Sequence, residues 1–239
     1  MADIRLEICV EDANGLAVAI RGGAARIELC SALSLGGLTP SPGLMQLAAA
    51  APIPVMAMIR PRAGGFVWST ADISQMKADI ATARAAGLAG VVLGASFPDG
   101  RLDEPVLAEL ITAARGMDTT LHRCFDLTPD PSPALETAIA LGFARILSSG
   151  GAPTARQGAA TLAALMAQAS DRIILMPGAG ITPQTLPALA HLPLRDIHAS
   201  CSIPRPEAAP VAALGFGASE RRVTSEHAVR ALAAALALL

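Results

Sequence analysis

Short apolar, β-branched runs alternate along this chain with longer Ala/Leu segments whose apolar positions recur at helical spacing. The runs fall at residues 4–10, 26–29, 55–59, 90–93, 119–123, 145–148, 173–176 and 196–198. Runs of that length, separated by helical patterns, predict βα units around a parallel sheet. Asp12, Ser41 before Pro42, Thr70, Asp103, Ser132 before Pro133, Thr154, Thr182 and Ser225 mark helix starts, because their side chains accept bonds from free N–H groups. Gly22, Gly87, Gly116 and Gly142 mark four helix ends. Residues 23–29, 87–93 and 142–147 repeat one arrangement of helix end, tight turn and strand. Eight units of each kind predict an α/β fold, a (βα)8 or TIM barrel, and 239 residues suit one such domain spanning 1–239. The stretch 202–223 is long for a connection and is expected to hold an extra short helix or to cover the barrel mouth.

Composition narrows the function. Hydrophobic residues make up 52% and charged residues 16%, which provides for a large core and excludes disorder. The net charge of -2, with no basic run, argues against a nucleic-acid partner. Met1, Ala2 and Asp3 open the chain without a basic or apolar leader, and the longest apolar runs are short or broken by Pro52 and Pro54. Neither export nor a membrane is indicated, and a cytoplasmic protein is expected. The scattered Cys9, Cys30, Cys124 and Cys201 are then expected to be reduced thiols.

Leu6-Glu7-Ile8-Cys9 and Ile27-Glu28-Leu29-Cys30 place one pattern on the first two strands. Side chains alternate along a strand, so if the apolar residues face the helices, Glu7, Cys9, Arg26, Glu28 and Cys30 point into the barrel. Inward carboxylates there are costly unless paired or functional, and a structural Glu/Arg network with two buried thiols is one reading. Strand three ends Met58-Ile59-Arg60-Pro61-Arg62, where two guanidiniums favour an anion. The alternative has Arg60 neutralising Glu7 or Glu28. Phe66 and Trp68 follow as lid aromatics. His122 and His198 end strands five and eight; a lone histidine there is often a satisfied core residue. Grouped with Glu7 and Glu28 at the catalytic face of a barrel, they read as acid-base groups. Gly-rich turns at Ser149-Gly150 and Gly178 offer N–H groups to an anion, or serve as tight turns only.

With these segments in view, the chain resembles the CutC family of copper homeostasis proteins. The resemblance rests on Leu6-Glu7-Ile8-Cys9-Val10, on residues 21–31 and 36–41, and on Met58-Ile59-Arg60-Pro61-Arg62. It continues in Leu93-Gly94-Ala95, His122-Arg123, Phe125-Asp126, Ser149-Gly150-Gly151 and Met176-Pro177-Gly178. It implies a (βα)8 barrel, cytoplasmic location, self-association as a homo-oligomer such as a dimer, and copper on Cys9 and Cys30. Cys124 and Ala179 stand where the family usually has Ala and Gly. Soft thiolates on neighbouring strands suit Cu(I), with Met56 and Met58 as deeper candidates.

Three functions follow. One is a Cu(I)-binding protein of copper homeostasis with Cys9 and Cys30 as ligands. Another is an enzyme acting on a small anionic or phosphorylated substrate, with Arg60 and Arg62 as clamp and Glu7, Glu28, His122 and His198 as acid-base groups. The third is an interaction scaffold.

Overall fold

Period-two strands sort their side chains between two layers, and this sorting builds the molecule. The computed structural model describes residues 4–239; the reading of Met1, Ala2 and Asp3 lies outside the described residues. Among these residues eight parallel strands form a nearly closed barrel: β1 (Arg5–Val10), β2 (Arg26–Leu29), β3 (Val55–Met58), β4 (Gly90–Leu93), β5 (Asp118–Leu121), β6 (Arg145–Ser148), β7 (Ile174–Pro177) and β8 (Asp196–Ala199). Each pairs with its neighbour in sequence from β1 to β7, and β1 also pairs with β8. β7 and β8 lie side by side without a hydrogen-bonded ladder. Helices α1 (Ala13–Gly22), α2 (Pro42–Ala48), α3 (Thr70–Ala86), α4 (Glu104–Ala113), α5 (Pro131–Ala140) and α6 (Ala159–Ala169) follow the first six strands.

The outward positions Leu6, Ile8, Ile27, Leu29, Val55, Ala57, Val91 and Leu93 join the apolar core beneath the helices. The inward positions Cys30, Met56, Met58 and Val92 form a separate small apolar cluster on one side of the lumen. The other side is polar.

Several boundaries differ from expectation, each for a local reason. β5 stops at Leu121, because the His122 ring Nδ1 accepts from the Cys124 N–H at 3.1 Å and starts a one-turn 3-10 helix, Arg123–Leu127. α3 is capped by Ser69 in a capping box with Asp72, one residue before Thr70. α5 is capped by Asp130, not Ser132. α6 begins after Gly158, with Thr154 spent on a preceding turn to Gln157. The seventh unit has no α-helix. Thr182 and Thr185 cap each other, and the 3-10 segment Leu186–Leu189 replaces the helix because Pro187 supplies no N–H.

After β8 the chain makes an antiparallel pair, β9 (Ser202–Pro206) and β10 (Glu220–Thr224), around the short helix α7 (Ala209–Ala213), before α8 (Glu226–Leu236). This arm is the long stretch of the sequence, and it carries the exposed Ile203, Leu214 and Phe216. Its base, through Ser202 and Arg222, borders the barrel mouth. No helix among the described residues is long and apolar enough to cross a membrane.

Candidate functional site

The polar half of the lumen begins with a floor of paired charges. Arg26 is its hub: Nε donates to Glu7, and one terminal nitrogen donates to Asp196 at 2.7 Å and to the Met176 sulfur at 3.2 Å. Asp196 also accepts from Arg5 at 2.9 Å and lies 3.4 Å from Arg145 Nε. Arg145 donates to Thr120 at 3.0 Å and to Asp118 at 2.6 Å. Buried charges survive only when paired in this way, and the short strands β2, β6 and β8 open on these residues at matching inward positions.

Glu7 carries the network upward. Burial alone raises a carboxyl, but the bonds from His198 and Arg26 hold Glu7 down to about 2, so it is ionised. An ionised carboxylate only accepts, so the His198 Nδ1 donates to Glu7 Oε1 at 2.8 Å. That bond fixes the ring with Nε2 toward Glu28, 3.8 Å away. Burial depresses a histidine, yet Glu28, Cys9 and Glu7 outweigh it and raise His198 well above its ordinary value. Burial, with the Glu7 charge below, raises Glu28.

Above this the barrel opens into a cavity of about 770 Å³ bordered by Cys9, Glu28, Met58, Arg60, His122 and His198. Ligand atoms of Cys9, Glu28 and His198 all lie within 4.8 Å of one another. Glu28 Oε1, His122 Nε2 and Arg60 Nε are buried there without a hydrogen-bond partner. Of the anticipated acid-base groups, Glu28, His122 and His198 face the cavity, and Glu7 sits beneath, touching His198.

Other anticipated residues lie elsewhere. Cys30 is fully buried in the apolar cluster and its sulfur donates to Glu28 Oε2 at 3.5 Å; burial and Glu28 push its thiol well up, so it stays protonated. Arg60 neutralises neither Glu7 nor Glu28: its terminal nitrogens donate to the carbonyls of Leu35, Gly37 and Gly64. Arg62 stacks on Trp68, 4.8 Å from the ring, and bonds Asp72 and the Val67 carbonyl outside the cavity. The N–H groups of Ser149 and Gly151 donate to Asp126, and that of Gly150 to the Ser148 hydroxyl. The chain's own carboxylate thus fills the nest expected to hold an anion. Gly178 spends its N–H on the Ser148 carbonyl, and a Cβ there would meet Leu147 at 2.5 Å.

The residue-by-residue reading missed Cys201, Arg222 and His227, which border the cavity. Cys201 lies two residues past the end of β8, whereas Arg222 and His227 arrive from the arm and α8, and nothing in their local sequence signals it. Arg145 and Asp196 in the floor were findable, since each is a buried charged residue that opens its strand as Arg26 does.

The CutC family model matches residues 4–203. The chain belongs to the CutC family. A CutC family protein of Rhizobium meliloti (strain 1021) is 54% identical over 99% of this chain and 97% of its own length. The human "Copper homeostasis protein cutC homolog" is 46% identical over 76% of this chain and 67% of its own. The CutC crystal structure from Streptococcus agalactiae superposes with a TM-score of 0.79 at 30% identity, over 82% of this chain and 98% of the other. An aldolase barrel, 15% identical with a TM-score of 0.63, shares the fold alone.

The copper in the family's name can be set against the residues of this CutC family member. Cys9, Glu28 and His198 offer sulfur, oxygen and nitrogen at mutually compatible distances, and Glu28 Oε1 lacks a partner. The donor set fits a transition-metal ion. Of the anticipated pair, Cys9 is in the group of three, while Cys30 lies beside it in the apolar cluster with its sulfur donating to Glu28 Oε2 at 3.5 Å. Ala179 borders the cavity with φ +73, a left-handed conformation that glycine adopts with less strain than alanine.

Proposed function

We propose that this CutC family member serves copper homeostasis in the cytoplasm by binding the copper ion as cargo in its cavity, above the floor of paired charges. Cys9 and His198 are the principal ligands and Glu28 is the third. The observation that supports this reading most is the convergence of the three ligand atoms within 4.8 Å at the base of an open cavity. Thiolate and imidazole suit copper in either oxidation state, and a carboxylate adds affinity for the divalent ion. Glu7 supports the site from below, as carboxylates commonly do for metal-bound histidines, by taking Nδ1–H and leaving Nε2 for the ion. Because His198 holds its proton above the usual histidine range, copper has to displace that proton, and affinity falls as the pH is lowered.

Competition against a Cu(I) chelator under strict reduction tests the proposal. Cys9→Ser and His198→Ala are each expected to weaken binding about 100-fold or more, and Glu7→Gln about 10-fold. Cys30→Ser is expected to change it little. Unchanged affinity in Cys9→Ser, or a larger loss in Cys30→Ser than in Cys9→Ser, would overturn the assignment.

A further inference from the structure

The copper reading leaves His122 unused, although the chain goes to some length to seat it. Gly94 clears its place: a Cβ there would lie 2.4 Å from the ring Cε1 and 2.6 Å from Nδ1. Nδ1 accepts from the Cys124 N–H, so the ring proton is on Nε2. His122 lines the cavity, and its Nε2–H, itself buried, finds no partner among the described residues. A capping role explains only Nδ1. Phe66 packs against the ring at 4.6 Å between centroids and stands 5.1 Å from the Arg60 guanidinium, whose own Nε is also unpartnered.

We infer that the cavity binds a small carbonyl compound carrying an acidic group, its carbonyl oxygen received by the Nε2–H of His122 when the Phe66 ring turns aside. This goes beyond the copper reading and does not depend on it. Burial and the Arg60 charge hold His122 down to about 3, so the ring stays neutral throughout the physiological range. A neutral imidazole polarises a carbonyl without surrendering its proton. Phosphate is the poorer fit: the nest after β6 is filled by Asp126. The acidic group is favoured by Arg222, which borders the cavity and, among the described residues, bonds only the neutral Ser202 hydroxyl and carbonyl, whereas Arg123 is paired with Asp126 at 2.7 Å.

The test uses histidine-15N-labelled protein, treated with chelator, with pyruvate as probe. The His122 Nε2–H resonance is expected to be present from pH 5 to 8, and saturating pyruvate is expected to move it downfield while inorganic phosphate leaves it in place. His122→Asn keeps an acceptor for the Cys124 N–H but is too short to set a donor at the Nε2 position, and is expected to bind pyruvate about tenfold more weakly. Absence of a pyruvate shift, an equal shift with phosphate, or equal pyruvate affinity in His122→Asn overturns the inference. Because no copper is present, failure of the metal reading leaves these outcomes unaffected. A Cu(I) titration of the wild type reports on that reading separately.

Discussion

The floor and the mouth of this barrel are built from the same residue types, yet they treat their charges in opposite ways. In the floor, Arg26, Asp196, Glu7 and Arg145 answer one another, with only Arg145 Nε left at ion-pair distance from Asp196 without a hydrogen bond. At the mouth, Glu28 Oε1, His122 Nε2 and Arg60 Nε have no partner although they are just as buried. A buried polar group without a partner costs about 1–3 kcal/mol, so three of them in one cavity are a burden that packing does not explain. The difference teaches where to look for function. Satisfied charge holds the strands in register, and unsatisfied polar groups await a ligand.

Breaking the floor gives the largest expected effect. Arg26→Ala strands two buried carboxylates, Glu7 and Asp196, and should lower unfolding stability by about 4 kcal/mol, measured by urea denaturation. A loss below about 1 kcal/mol would mean that the floor is no more structural than the mouth.

Acid sharpens the comparison with a somewhat smaller effect. Glu7 sits at about 2 against an ordinary 4.5, so the folded protein binds that proton less readily than the unfolded chain. Its stabilisation is therefore full above about pH 4.5 and fades as the pH falls toward 2, by about 3 kcal/mol in total. His198 acts in the opposite sense: its raised value stabilises fully below about 6.5 and is lost as the pH rises through the folded value. Urea midpoints from pH 6 to pH 2.5 should drop more steeply for the wild type than for Glu7→Gln.

The smallest effect has the reverse sign. Glu28 is raised by burial, so its ionised form costs stability at neutral pH, and Glu28→Gln should stabilise the fold by about 1 kcal/mol while weakening copper binding. Thermal melting beside the chelator competition checks both halves. A destabilised Glu28→Gln would place Glu28 with the floor.

Much of this was legible in the chain. Alternation along β1 and β2 turns Glu7, Cys9, Arg26, Glu28 and Cys30 inward without reference to any other element, because a strand's period is two. Strand-end position brings His122 and His198 to the cavity in the same way. The seventh helix fails where the sequence sets Pro187 inside the segment expected to form it, a signal that was present and outweighed by the regular repeat.

What alternation leaves open is the pairing among inward residues, and that is set by strand stagger and by groups up to 191 residues apart. Glu28 and Cys9 gather with His198 across the β8–β1 seam, while Cys30, equally inward, turns to Met56 and Val92. Asp126 fills the nest after β6 through a turn whose geometry local sequence does not state. The order of strands and the inward face of each are local properties of the polypeptide, fixed by period and chirality. Which inward charge finds a partner and which is left for a ligand is decided only when the barrel closes, because it depends on distances between strands that are far apart in the chain.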